Sequence, residues 1–292
     1  MNQENLNGIV KMSGRNWFRL GCSMATALAL VQSVVSVIKD CNSDFTVNWT
    51  YYVLSVLLVG ILVFVVNGVW LEGYLVRKAV IKIRSIGMEI VIGCGDIFNQ
   101  KGVLVVGVND FFDTVVDDCH ISGRSVHGQM IRKFWSRGVS DLNTQISDSL
   151  KDMPVVVVKR DGIAKEDRYE IGTSAFVQAM SGERFILVAL SETDPESHRT
   201  QSSMEMLSLA VRGALKVARE HANGDPVSFY LMGGGNARIK ASDQMLLSTM
   251  LSAIITECLV CDKVSSRINI VLKGKSSVLS SNLHDLAKVW SM

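Results

Sequence analysis

Three prolines in 292 residues leave little room for a proline-rich linker, and a formal net charge of +2 offers no basic stripe of the kind nucleic acid demands. Nucleic acid is therefore not an expected partner. The six cysteines form no framework. Cys258 and Cys261 make one CxxC, but a structural zinc site needs four ligands and no second CxxC or HxxxH lies nearby. No metal is expected, and the pair reads as two buried thiols on a helix. Charged residues are scarce at 20% against 48% apolar ones, which turns attention to segments able to sit in lipid.

Two such segments stand near the start, Leu20 to Ile38 and Tyr51 to Leu71, each without a charged side chain. Either is long enough to cross a hydrocarbon core of about 30 Å as a helix rising about 1.5 Å per residue. Trp17 and Arg19 precede the first; Trp49, Tyr51, Tyr52, Trp70 and Tyr74 bracket the second, as interfacial belts do. Cations concentrate outside the hairpin, at Lys11, Arg15 and Arg19 and at Arg77, Lys78, Lys82 and Arg84, whereas the connecting loop holds Lys39. The expectation is a multi-pass membrane protein with both termini cytoplasmic. Gly21, Ala25, Ala29 and Ser33 recur every four residues as a packing stripe. Gln32 and Asn67 are polar inside the spans and read either as glue within a two-helix anchor or as lining of an oligomeric pore. Asn48-Trp49-Thr50 is a formal glycosylation sequon that reads as coincidence.

The predicted organisation is residues 1–78 for the N-terminal segment and hairpin, and 79–292 for a cytosolic domain entered through a basic connector from Glu72 to Arg84. Buried-strand runs lie at Met88 to Ile92, Val103 to Val108, Phe185 to Leu190, Val227 to Met232 and Ile268 to Leu272, with a candidate near Val155 to Val158. Helical stretches fall around Val126 to Trp135, Leu142 to Leu150, Gln201 to Glu220 and Ser242 to Val260. The predicted fold class is α/β, a three-layer sandwich with helices on both faces of a mixed sheet. Asp141 to Tyr169, with its charged KRDGIAKEDR run, reads as a solvated loop or insertion.

Ligands in such folds sit outside the strand ends, so the turns there matter most. Gly233-Gly234-Gly235-Asn236-Ala237-Arg238 joins a strand to a helix that Ser242 can cap. Three consecutive glycines let backbone N–H groups approach phosphate oxygens, although a tight reversal alone also uses such a turn. Gly274-Lys275-Ser276 is no Walker loop, because Asn269 occupies the position of its first glycine.

Gly95-Asp96-Ile97, then GVLVVGVND with Asn109, then SGRSVHGQ from Ser122 to Gln129, and then the triple-glycine turn together resemble the macro domain, a fold that binds ADP-ribose. That resemblance implies that Asp96, with Ile97 beside it, accepts the adenine amino group and that Asn109 holds the distal ribose. It further implies that the Ser125-His127-Gly128 loop and the Gly233, Gly234, Gly235, Asn236 and Arg238 turn clamp the diphosphate. Read locally, Asp96 and Asn109 are also residues that shape or cap turns, and His127 is either a ligand contact or a surface histidine. VGVNDFFDT, SGRSVHGQMI, YEIGTSAF with Gly172 and Thr173, and FYLMGGGNARI are similar to a transmembrane-macro family of Thoeris antiphage effectors. For that family the implied partner is a TIR-domain enzyme that consumes NAD and makes an ADP-ribose derivative such as a histidine conjugate. The implied effector sits in a bacterial inner membrane, binds that nucleotide with no other cofactor, oligomerises in the bilayer and kills the infected cell, with no catalysis of its own. A membrane-tethered ADP-ribose hydrolase, using Asp110, Asp113 or His127, is the alternative.

Overall fold

A computed structural model of the chain describes residues 14–42, 44, 46–68, 78–160, 164–235, 237–273 and 289–291. It divides into two compact units, one holding the N-terminal helices and one beginning at Lys78.

In the first unit, α1 runs Gly14–Cys41 and α2 Trp49–Val66. Both are long and apolar enough to cross a membrane. At about 1.5 Å per residue, the 18 residues of α2 reach roughly 27 Å, close to a bilayer core. Asn48 explains the sequon: its side chain caps α2 by accepting the Thr50 amide at 3.0 Å. The helix ends earlier than the expected span. Asn67 lies at its C-cap, at the end of the apolar stretch, and Val69 to Leu71 lie outside the described residues. The stripe read from the sequence does not form the contact within this unit. Ser23 and Ala27 are buried there, and Gly60 comes so close to Met24 that a Cβ would stand 2.3 Å from its sulfur. Gly21, Ala25, Ala29, Ser33 and Gln32 stay exposed on the single chain.

The second unit is built on one mixed sheet. Its strands are β1 Lys78–Ile83, β2 Met88–Cys94, β3 Val103–Asn109, β6 Ser174–Gln178, β7 Arg184–Thr193, β8 Thr200–Gln201, β9 Val227–Tyr230 and β10 Arg267–Leu272. The order is β1-β2-β10-β9-β3-β7-β6, with β8 beside β7. The five central strands are parallel, while β1, β6 and β8 run antiparallel to their neighbours. The expected basic connector is thus partly a strand. Ala79, Ile81 and Ile83 point inward, and Lys78, Val80 and Lys82 point outward along a sheet edge where lysines discourage further pairing.

Helices α3 Val126–Phe134 and α4 Ser140–Leu150 cover one face, contributing Met130, Ile131, Leu142, Ile146 and Leu150 to a core with Leu104, Val106, Val108, Phe185 and Leu187. Against β7 lies α5 Met204–His221, which packs beside α6 Asp243–Val260. Although α6 is apolar enough to resemble a membrane span, half of it is buried inside this unit. Ser242 caps it as the sequence suggests, accepting the Met245 amide at 3.3 Å. Cys258 is buried in α6, but Cys261 lies past the helix end and is exposed, so the CxxC is not a pair of buried thiols.

The segment expected to be a solvated insertion is structured over its described residues. It supplies α4 to the core and then a hairpin of β4 Val155–Val157 and β5 Asp167–Tyr169, a separate two-stranded sheet whose valines are exposed. It also carries Arg160 into the interior, where its side chain is 0% exposed.

Candidate functional site

Because the central strands are parallel, their carboxyl ends gather at one edge of the sheet. A cavity of about 400 Å³ opens there, within the size range of ligand pockets. Its walls come from Gly107 to Asn109 of β3, Leu190 and Ser191 of β7, Tyr230 of β9 and Leu231 after it, the His120 to Ser125 loop with Val126 and His127 of α3, and the glycine turn, with Lys273 beyond β10. Gly107 makes room at the floor: a Cβ there would meet the Tyr230 hydroxyl at 3.2 Å and Leu190 at 2.7 Å. Burial pushes that hydroxyl up to about 12, with the Gly107 amide pulling the other way.

Of the residues singled out from the sequence, Asn109, Ser125, His127, Gly233, Gly234 and Gly235 come together around this cavity. Gly233 takes a φ of +97° to turn the chain; Gly235 has open space where a Cβ would stand. Ser125 caps α3, accepting the Gly128 amide at 2.9 Å and donating to the Ser122 carbonyl at 2.7 Å. Gly128 does not line the cavity. It lets α3 pass under the loop, since a Cβ would lie 2.3 Å from the Ser122 oxygen.

Asp96, Ile97, Gly172, Thr173 and Arg238 are likewise outside the cavity lining. Asp96 caps a short helical turn by accepting the Phe98 amide at 3.0 Å. Gly172 has a φ of +94° and carries its carbonyl against Gly213 of α5, a packing role. Arg238 is exposed with a left-handed φ of 55°. Asn236 lies outside the described residues.

Asn109 is fixed by its own turn. Its Oδ1 accepts the Asp113 amide at 3.0 Å, and its Nδ2 donates to the Asp113 carboxylate at 2.7 Å, which settles the amide orientation and leaves a second N–H for a ligand. Asp113 in turn accepts from Arg160 at 3.1 and 3.0 Å and from the Lys165 amide at 3.2 Å. Arg160 also donates to the Lys165 carbonyl at 2.9 Å and lies 4.1 Å over the Phe111 ring. Asp110 is held at 2.6 Å by Arg168 and at 2.9 Å by the Thr193 amide; burial raises its carboxyl, with both partners opposing. The sequence offered no signal for Arg160, whose neighbours in the chain are charged and polar.

His127 is 6% exposed, which removes the surface alternative, and its Nε2 is buried without a partner among the described residues. Burial holds this imidazole at about 4, with Asp113 opposing and Lys165 adding to the effect. An unfolded chain takes up that proton as pH falls through about 6.5, and the folded one only near 4. The associated stability is therefore complete above pH 6.5 and lost as pH falls from 6.5 towards 4, by up to about 3 kcal/mol. His127→Phe is expected to flatten this slope in unfolding midpoints measured between pH 4 and 7. A variant with the wild-type slope would show that this histidine titrates alike in both states.

A family model described as the macro domain of Thoeris protein ThsA matches residues 90–273. Thoeris protein ThsA of Bacillus amyloliquefaciens (strain Y2) is 30% identical over 161 residues, 54% of this chain and 52% of that protein. The chain thus spans about half the length of this curated relative. Among solved structures, a Trypanosoma brucei macrodomain in complex with ADP-ribose aligns at 12% identity with a TM-score of 0.42, covering 63% of each chain. The Trypanosoma brucei macrodomain in complex with ADP aligns at 11% identity and 0.42, covering 68% of each. The matched stretch runs from β2 to the end of β10, through every strand end that walls the cavity, and the chain belongs to the ThsA macro-domain family.

Proposed function

We propose that this protein is a membrane-anchored antiphage effector whose cavity senses an ADP-ribose derivative. In this reading the signal, such as a histidine conjugate made by a TIR-domain partner, binds one arrangement of the chain more tightly and promotes assembly of the hairpins, which disrupts the bilayer. A near-complete switch needs a difference of about 5.5 kcal/mol between the two arrangements, which an oligomer can share among its subunits. The observation that carries the reading is the convergence of Asn109, the capped Ser125 to His127 loop and the glycine turn around one cavity at the strand ends. Backbone amides and an oriented carboxamide suit a diphosphate and a ribose, respectively. Of the groups that hydrolysis could use, the oxygens of Asp110 and Asp113 are engaged by arginines and amides, which leaves neither placed to activate water and His127 as the remaining candidate base.

The test is calorimetric titration of the full chain in detergent with ADP-ribose. Gly235→Leu puts bulk into open space at a backbone that accepts a side chain, so it is expected to fold normally and bind at least about tenfold more weakly, about 1.4 kcal/mol. No binding by wild type, or equal binding by Gly235→Leu, refutes the reading. Vesicles carrying the wild-type chain should release trapped dye when the active conjugate is added.

A further inference from the structure

Two rings outside the sequence-derived site meet beside the cavity. His120 lines it, with its side chain 10% exposed, and its ring lies 4.8 Å from that of His198, which is not among the lining residues. Asp117 organises the first. One oxygen of its carboxylate accepts the Cys119 amide at 2.9 Å and the His120 amide at 2.7 Å, and the other faces His120 Nδ1 at 2.7 Å. Although burial pushes Asp117 up, the His120 ring and the two amides outweigh it and hold the carboxyl at about 2.

An ionised carboxylate can only accept, so His120 carries its proton on Nδ1, and in the neutral ring Nε2 is a bare lone pair. That Nε2 is buried and has no partner among the described residues. The second ring does not supply one. Arg160 approaches His198 Nδ1 at 3.3 Å, and a guanidinium only donates; His198 Nδ1 therefore accepts and the neutral ring carries its proton on Nε2, yet no hydrogen bond reaches His120 Nε2. The loops that present the rings hold non-glycine residues in left-handed backbone, Asp118 at a φ of 63° and His198 at 54°. Such conformations persist where the surrounding structure enforces them.

Contacts lead from His120 to His198, then to Arg160, Asp113 and finally Asn109. His120 is thereby tied to the end of the cavity that Asn109 marks. We propose that His120 determines specificity there, its Nε2 accepting a hydrogen bond from a hydroxyl on the sugar beyond the diphosphate, so that the site prefers ADP-ribose to ADP. This rests on the ADP-ribose reading above. A buried acceptor without a partner is costly, and a ligand hydroxyl that reaches it is favoured over a ligand that ends at the phosphate.

The full chain in detergent is titrated with ADP-ribose and with ADP at pH 8, above the reference range of imidazole. His120→Phe keeps an aromatic ring beside His198 and removes both nitrogens. It is expected to weaken ADP-ribose about tenfold and ADP less than about twofold. Asp117→Asn offers an independent route. With its oxygen kept by the two backbone amides, the new NH2 group faces Nδ1, which moves the ring proton to Nε2 and converts the acceptor into a donor. The same selective loss is expected. Parallel losses for both nucleotides, or an unchanged ADP-ribose affinity in the folded variants, overturn the role of His120 while leaving the sensor intact. A wild-type chain that binds neither nucleotide overturns both.

Discussion

Replacing Gly213 with alanine is expected to destabilise the sheet-bearing unit by about 2 kcal/mol or more, although alanine is the better helix former. Gly213 lies inside α5, where the exchange alone would favour the folded state by about 0.5–1 kcal/mol. The added Cβ, however, would stand 1.9 Å from the Gly172 carbonyl oxygen and 2.7 Å from its carbon. Those are backbone atoms, so no rotamer change relieves the clash. Overpacking of this kind typically costs about 1–3 kcal/mol, occasionally more, and here it outweighs propensity. The strain also reaches the cavity: Gly172 donates to the Ala189 carbonyl at 2.9 Å and the Ala189 amide donates to Thr173 at 2.9 Å, next to Leu190 and Ser191 of the wall. Thermal unfolding of the full chain in detergent, read on the sheet-bearing unit, should show a lowered midpoint and weaker ADP-ribose binding. Wild-type stability in Gly213→Ala would mean that α5 can move off the Gly172 turn freely.

Arg160→Met is expected to be costlier still, about 3–5 kcal/mol, because it leaves a buried carboxylate without its cation. Asp113 is 2% exposed, and its remaining donors would be the Asn109 carboxamide and the Asp113-facing Lys165 amide. The double variant Arg160→Met with Asp113→Asn removes the unpaired charge and should recover part of the loss, which is the signature that separates charge burial from simple packing. Loss of Arg160 should also loosen Asn109, so that ADP-ribose affinity falls in parallel. A single variant within about 1 kcal/mol of wild type would show that water reaches Asp113 and replaces the guanidinium.

The two elements easiest to read in the sequence owe little to tertiary context. Nothing but a long uncharged apolar run is needed to mark α1 and α2, and the central strands announce themselves because parallel strands are apolar on both faces. The glycine turn is legible for a similar reason, since consecutive glycines are read from composition alone. Edge strands were harder. Lys78–Ile83 alternates apolar and basic residues, and its lysines suggested a membrane-flanking connector until pairing with β2 gave the alternation its meaning.

What folding alone decided is which distant residues share an environment. Arg160 sits in a charged stretch that every local rule assigns to solvent, yet it is the most enclosed cation described, because Asp113 and Phe111 await it across the chain. Likewise, Gly172, which the resemblance groups with the site, lies outside the cavity lining and is the landing place for Gly213. His120 and His198 are separated by much of the domain, and their ring contact, their tautomers and the place of His120 at the cavity exist only once β3 and β7 lie side by side. Periodicity and composition report how each residue meets water or lipid; pairing of charges, close backbone approach and ring stacking depend on coordinates that no short window of sequence contains.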